Sequence, residues 1–216
     1  MKNKFVINLV LGFVKITGFL PLLIFFKPKI HKSDKQKSKL PKCCILVSNH
    51  KSLLDFPLYL LVFPFRTIRF LMAEVLYNKS PFFAWFLNSL GGIRVDRDDK
   101  SFSFVSDSIE VLDNKGILGV FPEGRLPING KPWPFTVSTA FIATHADAPI
   151  VPIYTDGNYG ISKRANVVIG EPFFLTDFAK DGLNDEQQLA HLTDVLEKRV
   201  YDLKSMLEKG KDQNAK

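Results

Sequence analysis

Cysteine is almost absent from the 216-residue chain: only the adjacent Cys43 and Cys44 carry thiols, so no disulfide framework can be built. No cysteine–histidine spacing resembles a zinc site. A secreted, disulfide-stapled module is excluded. Arginine is scarce too, with seven in the chain and none in the first 42 residues. Acid is missing from the same stretch, where ten lysines face Asp34 alone. The net charge of +7 is therefore the property of an arm, and residues 43–216 carry a net −2. Lysine is a hydrated point charge suited to diffuse attraction toward anionic headgroups, whereas an arm that reads nucleic acid mixes arginine with aromatics. Anionic membrane lipids are the expected partner, and nucleic acid is not.

What the chain has in abundance is apolar surface: 46% of residues are hydrophobic, and 20 are phenylalanine. That composition excludes wholesale disorder, collagen and coiled coil, and the length is ample for one core. Within the run from residue 5 to 26, Lys15 is the one charge, and Gly12, Gly18 and Pro21 are the residues that weaken a helix. As a helix it reaches roughly 33 Å, enough to cross a bilayer's hydrocarbon core. Pro21 and the two glycines argue against one straight rod, and two short helices lying in one leaflet fit equally well. No small-residue cleavage site follows the run, which speaks against a signal peptide. Seven lysines follow it and two precede it, so the remainder is expected at the cytoplasmic face of the cell's inner membrane.

Two parts are expected: residues 1–42 as a membrane-binding segment with a basic linker, and 43–216 as an α/β domain. In the second, short apolar runs at 43–48, 67–72, 92–96, 117–121, 150–154 and 166–169 read as strands. Helix-period segments at 54–62, 81–90, 101–114, 136–145 and 186–208 alternate with them. The fold class is α/β: a mostly buried mixed sheet flanked by helices, with an N-terminal apolar, lysine-rich helical segment.

Three stretches hold the residues suited to chemistry. Ser48-Asn49-His50-Lys51-Ser52-Leu53-Leu54-Asp55 leaves a strand and enters a helix. On one continuous helix, His50 and Asp55 would lie about 140° apart, so they meet only if the chain turns between them. Meeting, they form a base and its orienter, the carboxylate fixing the ring tautomer while the other nitrogen takes a proton. The plainer reading makes Ser52 and Asp55 a helix capping box. The second stretch, Gly91-Gly92-Ile93-Arg94-Val95-Asp96-Arg97, and the third, Phe121-Pro122-Glu123-Gly124-Arg125, place three of the seven arginines at strand ends. They are either surface ion pairs or a converging phosphate clamp. Cys43 and Cys44 read as inert thiols within a strand. His31, His145 and His191 have no partner pattern and are assigned no role.

In combination these stretches resemble the glycerophospholipid acyltransferase family. His50 and Asp55 match its H-x4-D block, Gly91 to Arg97 the block ending in a phosphate-contacting arginine, Phe121 to Arg125 the FPEG block, and Ala148-Pro149-Ile150-Val151-Pro152-Ile153 the final proline block. The resemblance implies that His50 deprotonates an acceptor hydroxyl, which attacks an acyl thioester, with Asp55 orienting the ring. It implies acceptor binding by Arg97, Glu123, Gly124 and Arg125, the arginines on phosphate and Glu123 on the glycerol. Lysophosphatidate is the implied acceptor, acyl-CoA or acyl carrier protein the implied donor, and no metal or redox cofactor is implied. Two departures stand out. No threonine separates Gly124 from Arg125, and Thr136 and Ser138 stand where the family often has lysine and glycine. The rival readings are the same chemistry on another lysophospholipid or an amino-acid-derived lipid, and a non-catalytic peripheral lipid-binding protein of the same fold.

Overall fold

Apolar residues from Cys44 to Val47, followed by Ser48, make a strand buried at every position, the signature of a central strand in a sheet covered on both sides. The computed structural model describes residues 4–32, 40–96 and 102–213. Its strands are β1 (Lys29–Lys32), β2 (Cys44–Ser48), β3 (Ile68–Ala73), β4 (Ile93–Val95), β5 (Ile117–Val120), β6 (Ile150–Thr155) and β7 (Asn166–Ile169). Its helices are α1 (Lys4–Phe26), α2 (Asp55–Val62), α3 (Glu74–Tyr77), α4 (Pro81–Ser89), α5 (Ser103–Asp113), α6 (Val137–His145) and α7 (Asp185–Gln213). The sheet runs β1-β7-β6-β2-β5-β3-β4 and is parallel except where β7 meets β6. The mixed, helix-flanked α/β sheet is as expected.

Alternation along the strands divides the core in two. Leu46, Phe70 and Ile153 face a layer formed by α2, α3, α4 and the end of α1. Ile45, Val47 and Leu118 face α5, α6 and α7. Helix α5 closes with the left-handed residue at Lys115 (φ 56°) rather than at a glycine. Gly116 comes next, donating its N–H to Val111 O at 2.8 Å, and a Cβ there would meet that same oxygen. Gly119, in β5, leaves room for the Phe70 ring; a Cβ would lie 2.4 Å from the ring's Cε1. Gly119→Ala is expected to destabilise the fold by about 1–3 kcal/mol through overpacking, measured by urea unfolding.

The N-terminal part departs from expectation twice. Residues 5–26 lie within one continuous helix despite Pro21. Packing overrides the local penalty: Ile7 and Leu11 bury against Leu60 and Leu90, and Phe26 is enclosed in the main core. Lys15, the lone charge in the run, donates to Phe63 O, Pro64 O and Arg66 O at 2.6–3.2 Å, satisfying carbonyls just past the end of α2. Second, residues 29–32, expected as basic linker, form edge strand β1, paired in parallel with β7. Lys29 N–H binds Ala165 O, and Ala165 N–H binds Phe26 O, both at 2.8 Å. Lys35, Lys37 and Lys39 of the expected linker lie outside the described residues.

Candidate active site

Parallel neighbours end at the same edge of a sheet, so the loops leaving β2 and β5 must emerge side by side. Their register pairs Val47 with Val120, which sets His50 beside Glu123. The His50 N–H donates to Glu123 Oε1 at 3.0 Å. Position at the carboxyl ends of parallel strands is the usual place for chemistry in α/β sheets.

The chain turns between His50 and α2, and the two side chains meet: Nδ1 of His50 lies 2.7 Å from Oδ2 of Asp55, which is fully buried. The same Oδ2 accepts the N–H groups of Lys51 at 2.7 Å and Ser52 at 2.9 Å. Asp55 therefore holds both the histidine and the turn that leads into α2, whose own N-cap, Leu54, receives no side-chain cap hydrogen bond. Ser52 departs from a capping box, its hydroxyl accepting from the Leu54 N–H at 3.2 Å. Phe121 stacks on the imidazole, with centroids 4.3 Å apart and planes inclined by 15°. With Nδ1 committed to Asp55, Nε2 is the nitrogen left to the cleft that His50 lines.

That cleft encloses about 1080 Å³, at the top of the range for small-molecule sites. Leu71, Met72, Leu76 and Phe104 give it an apolar wall, and Glu123, Gly124 and Arg125 form a polar lip. Gly124 adopts φ 61°, and its N–H closes a tight turn onto Phe121 O at 2.9 Å, which separates Glu123 from Arg125. Arg125 is exposed, its guanidinium 5.2 Å from the centre of the Trp133 ring. Arg94 instead pairs with Glu74, the surface ion pair of the plainer reading. Arg97 lies outside the described residues. Thr136 and Ser138 line the cleft, and their hydroxyls sit 3.0 Å apart.

Three supporting residues escaped sequence reasoning. Asn49, fully buried, bridges β2 to the end of β6: its amide donates to Thr155 O at 3.0 Å and its oxygen accepts from Thr155 N–H at 2.8 Å. Tyr159 donates its hydroxyl to the other oxygen of Asp55, and Tyr201 of α7 donates to Glu123 Oε1 at 3.0 Å. Burial raises both phenols well above their ordinary range, so they remain donors at neutral pH. Burial likewise raises the Glu123 carboxyl, against the lowering effect of its bonds from His50 and Tyr201. Adjacency to His50 was the only sequence signal for Asn49; more than 70 positions separate each tyrosine from its carboxylate, and no spacing rule links them. Cys44 is buried with its thiol pushed up to about 12 by desolvation, which makes it inert at neutral pH.

An imidazole held by a buried carboxylate beside an apolar cleft is arranged for general-base chemistry, and the family is shown directly. A sequence model of the Acyltransferase family matches residues 28–156, more than half of the chain, and the chain belongs to that family. Among its relatives, the 1-acyl-sn-glycerol-3-phosphate acyltransferase of Bacillus subtilis (strain 168) is 26% identical over 68% of this chain and 73% of its own length. The human 1-acyl-sn-glycerol-3-phosphate acyltransferase beta is 25% identical over 60% of this chain, which spans about half (47%) of that relative. The crystal structure of the 1-acyl-sn-glycerophosphate acyltransferase PlsC from Thermotoga maritima superposes with a TM-score of 0.62 at 25% identity, covering 93% of this chain and 80% of that one. Tyr159 and Tyr201 fall beyond the family-matched residues.

Proposed function

We propose that this acyltransferase moves a fatty acyl group from an acyl thioester, on coenzyme A or carrier protein, to the free hydroxyl of 1-acyl-sn-glycerol-3-phosphate, forming phosphatidic acid. The observation that carries the reading is the 2.7 Å contact between His50 Nδ1 and the buried Asp55, with Nε2 left to the cleft. Nε2 removes the acceptor's hydroxyl proton as its oxygen attacks the thioester carbonyl; the C–S bond breaks, and the departing thiolate takes the proton from the imidazolium. Asp55 holds the tautomer and offsets the transient positive charge. Arg125, with Arg97, holds the acceptor phosphate, and Glu123 binds its glycerol, the assignments that the family resemblance implies.

A second reading changes only the acceptor. The Thr136–Ser138 hydroxyl pair in the cleft supplies neutral hydrogen bonds in place of a cation and suits a different lyso-lipid headgroup. A mass-spectrometric panel of purified protein with lysophosphatidate, lysophosphatidylethanolamine, lysophosphatidylglycerol and an amino-acid-derived lyso-lipid separates the two. The first reading expects the highest kcat/KM on lysophosphatidate, and preference for a headgroup-bearing acceptor would replace it.

The same proposal places the enzyme on anionic lipid at the cytoplasmic face of the cell membrane. Helix α1 has a 22-residue segment of mean hydropathy 2.3, long and apolar enough to cross a bilayer. Contacts from Ile7 to Phe26 hold it along the domain, while Phe5, Leu9, Phe13 and Ile16 are exposed on its opposite face. A helix packed lengthwise on an α/β domain lies in one leaflet rather than spanning two. Deleting residues 1–42 would also remove β1 and Phe26, so substitution is the cleaner test. The double variant Phe13→Ser, Ile16→Ser is expected to lower partition onto anionic vesicles about tenfold or more with its melting temperature unchanged. Undiminished binding would remove α1 from the membrane contact.

A further inference from the structure

Helix α4, Pro81–Ser89, carries no charged residue, and Ser80 caps it by accepting from the Phe83 N–H at 3.1 Å. Its inner face is accounted for by the core: Leu87 and Leu90 are buried, and Phe83 and Phe86 pack against core clusters. The outer face is not. Phe82 is 72% exposed and Trp85 59%, their rings 5.8 Å apart, so two large aromatics stand in solvent on a helix that has already filled its core. Isolated exposed apolar residues need no explanation, but a contiguous aromatic patch does.

The setting says what covers it. Leu90 and Phe86 belong to the cluster that seats Ile7 and Leu11 of α1, so α4 lies directly against a helix that itself exposes Phe5, Leu9, Phe13 and Ile16. Tryptophan and phenylalanine are favoured where apolar chains meet headgroups. On its other side the α3–α4 hairpin borders the cleft, which Val75, Lys79 and Phe83 line. We infer that Phe82 and Trp85 form a second lipid-embedded contact, beside α1, which sets the cleft mouth at the headgroup level so that acceptor arrives laterally from the bilayer. The inference rests on the membrane reading of α1. A bilayer suits an uncharged aromatic face set beside an apolar helix of that length.

Trp85 is one of only two tryptophans, which makes the test direct. The full chain carrying Trp133→Phe leaves Trp85 as the sole emitter. It is mixed with phosphatidylcholine–phosphatidylglycerol vesicles whose acyl chains are brominated, and sedimentation is read alongside fluorescence. The protein is expected to sediment, with Trp85 emission shifted to the blue and quenched by bromine. A further Phe82→Ser substitution should weaken partition about tenfold. Sedimentation with Trp85 emission unshifted and unquenched overturns the inference while leaving the α1 reading standing. Failure to sediment removes the α1 reading and this inference with it. A blue shift without lipid that grows with protein concentration would assign the face to a second copy of the chain and overturn the lipid contact.

Discussion

Asp55→Asn is expected to lower kcat for acyl transfer by about 10³–10⁴-fold while leaving the fold and vesicle binding in place. In the native site Asp55 Oδ2 takes three donors, His50 Nδ1, Lys51 N–H and Ser52 N–H, and Oδ1 takes the Tyr159 hydroxyl. An asparagine can keep its oxygen toward the three donors and turn its NH₂ toward Tyr159, whose hydroxyl then donates to Thr155 Oγ1, 3.1 Å away. The geometry survives, but the charge that offsets the imidazolium does not. His50→Ala should cost a similar factor, and the double variant little more than either alone, because the two residues act as one unit. Additive losses in the double variant would show that they act separately. Loss of vesicle binding together with activity would show that the substitutions damage the fold.

Glu123→Gln should reduce acyl transfer about 10²-fold while the protein melts no lower at neutral pH. Glu123 is buried; its Oε1 takes both the His50 N–H and the Tyr201 hydroxyl, and its Oε2 has no hydrogen-bond partner among the described residues. An amide oxygen can keep both donors, so the peptide plane of His50 stays fixed. What is lost is the charge that the proposed function sets against the acceptor's glycerol at the cleft that Glu123 lines. The raised carboxyl sets the sign of the stability effect. A group that holds its proton more tightly folded than unfolded makes stability fall as pH rises from the ordinary carboxylate range through the raised folded value. Wild type should show that decline in thermal melts across mildly acidic pH, and Glu123→Gln should lack its share of it. A lower melting temperature for the variant at neutral pH would mean that the carboxylate stabilises the fold, contrary to this reading.

The described parallel strands from β2 to β6 were legible because each is a short, largely apolar or β-branched run, and their ends differ from expectation by only a residue or so. The His50–Asp55 pair was legible because a strand end, a turn and a helix start all lie between Ser48 and Asp55. β1 was not legible: Lys29-Ile30-His31-Lys32 has a single apolar side chain and is strand only because β7 offers it an edge. Nor was the continuity of α1, where local propensity at Pro21 points one way and burial of Ile7, Leu11 and Phe26 decides the other. Tyr159 and Tyr201 were invisible for a similar reason. Each reaches its carboxylate only after the sheet has folded, and a tyrosine far along the chain carries no pattern that names its partner.

The most direct measurement of the central claim is product formation. Purified full chain and its His50→Ala variant are incubated with lysophosphatidate in anionic vesicles, and with acyl-CoA or acyl carrier protein, and phosphatidic acid is quantified by mass spectrometry. Phosphatidic acid is expected from the wild type with at least one donor, and only background from the variant. Equal product from the two proteins, or none from the wild type with either donor, would contradict the claim.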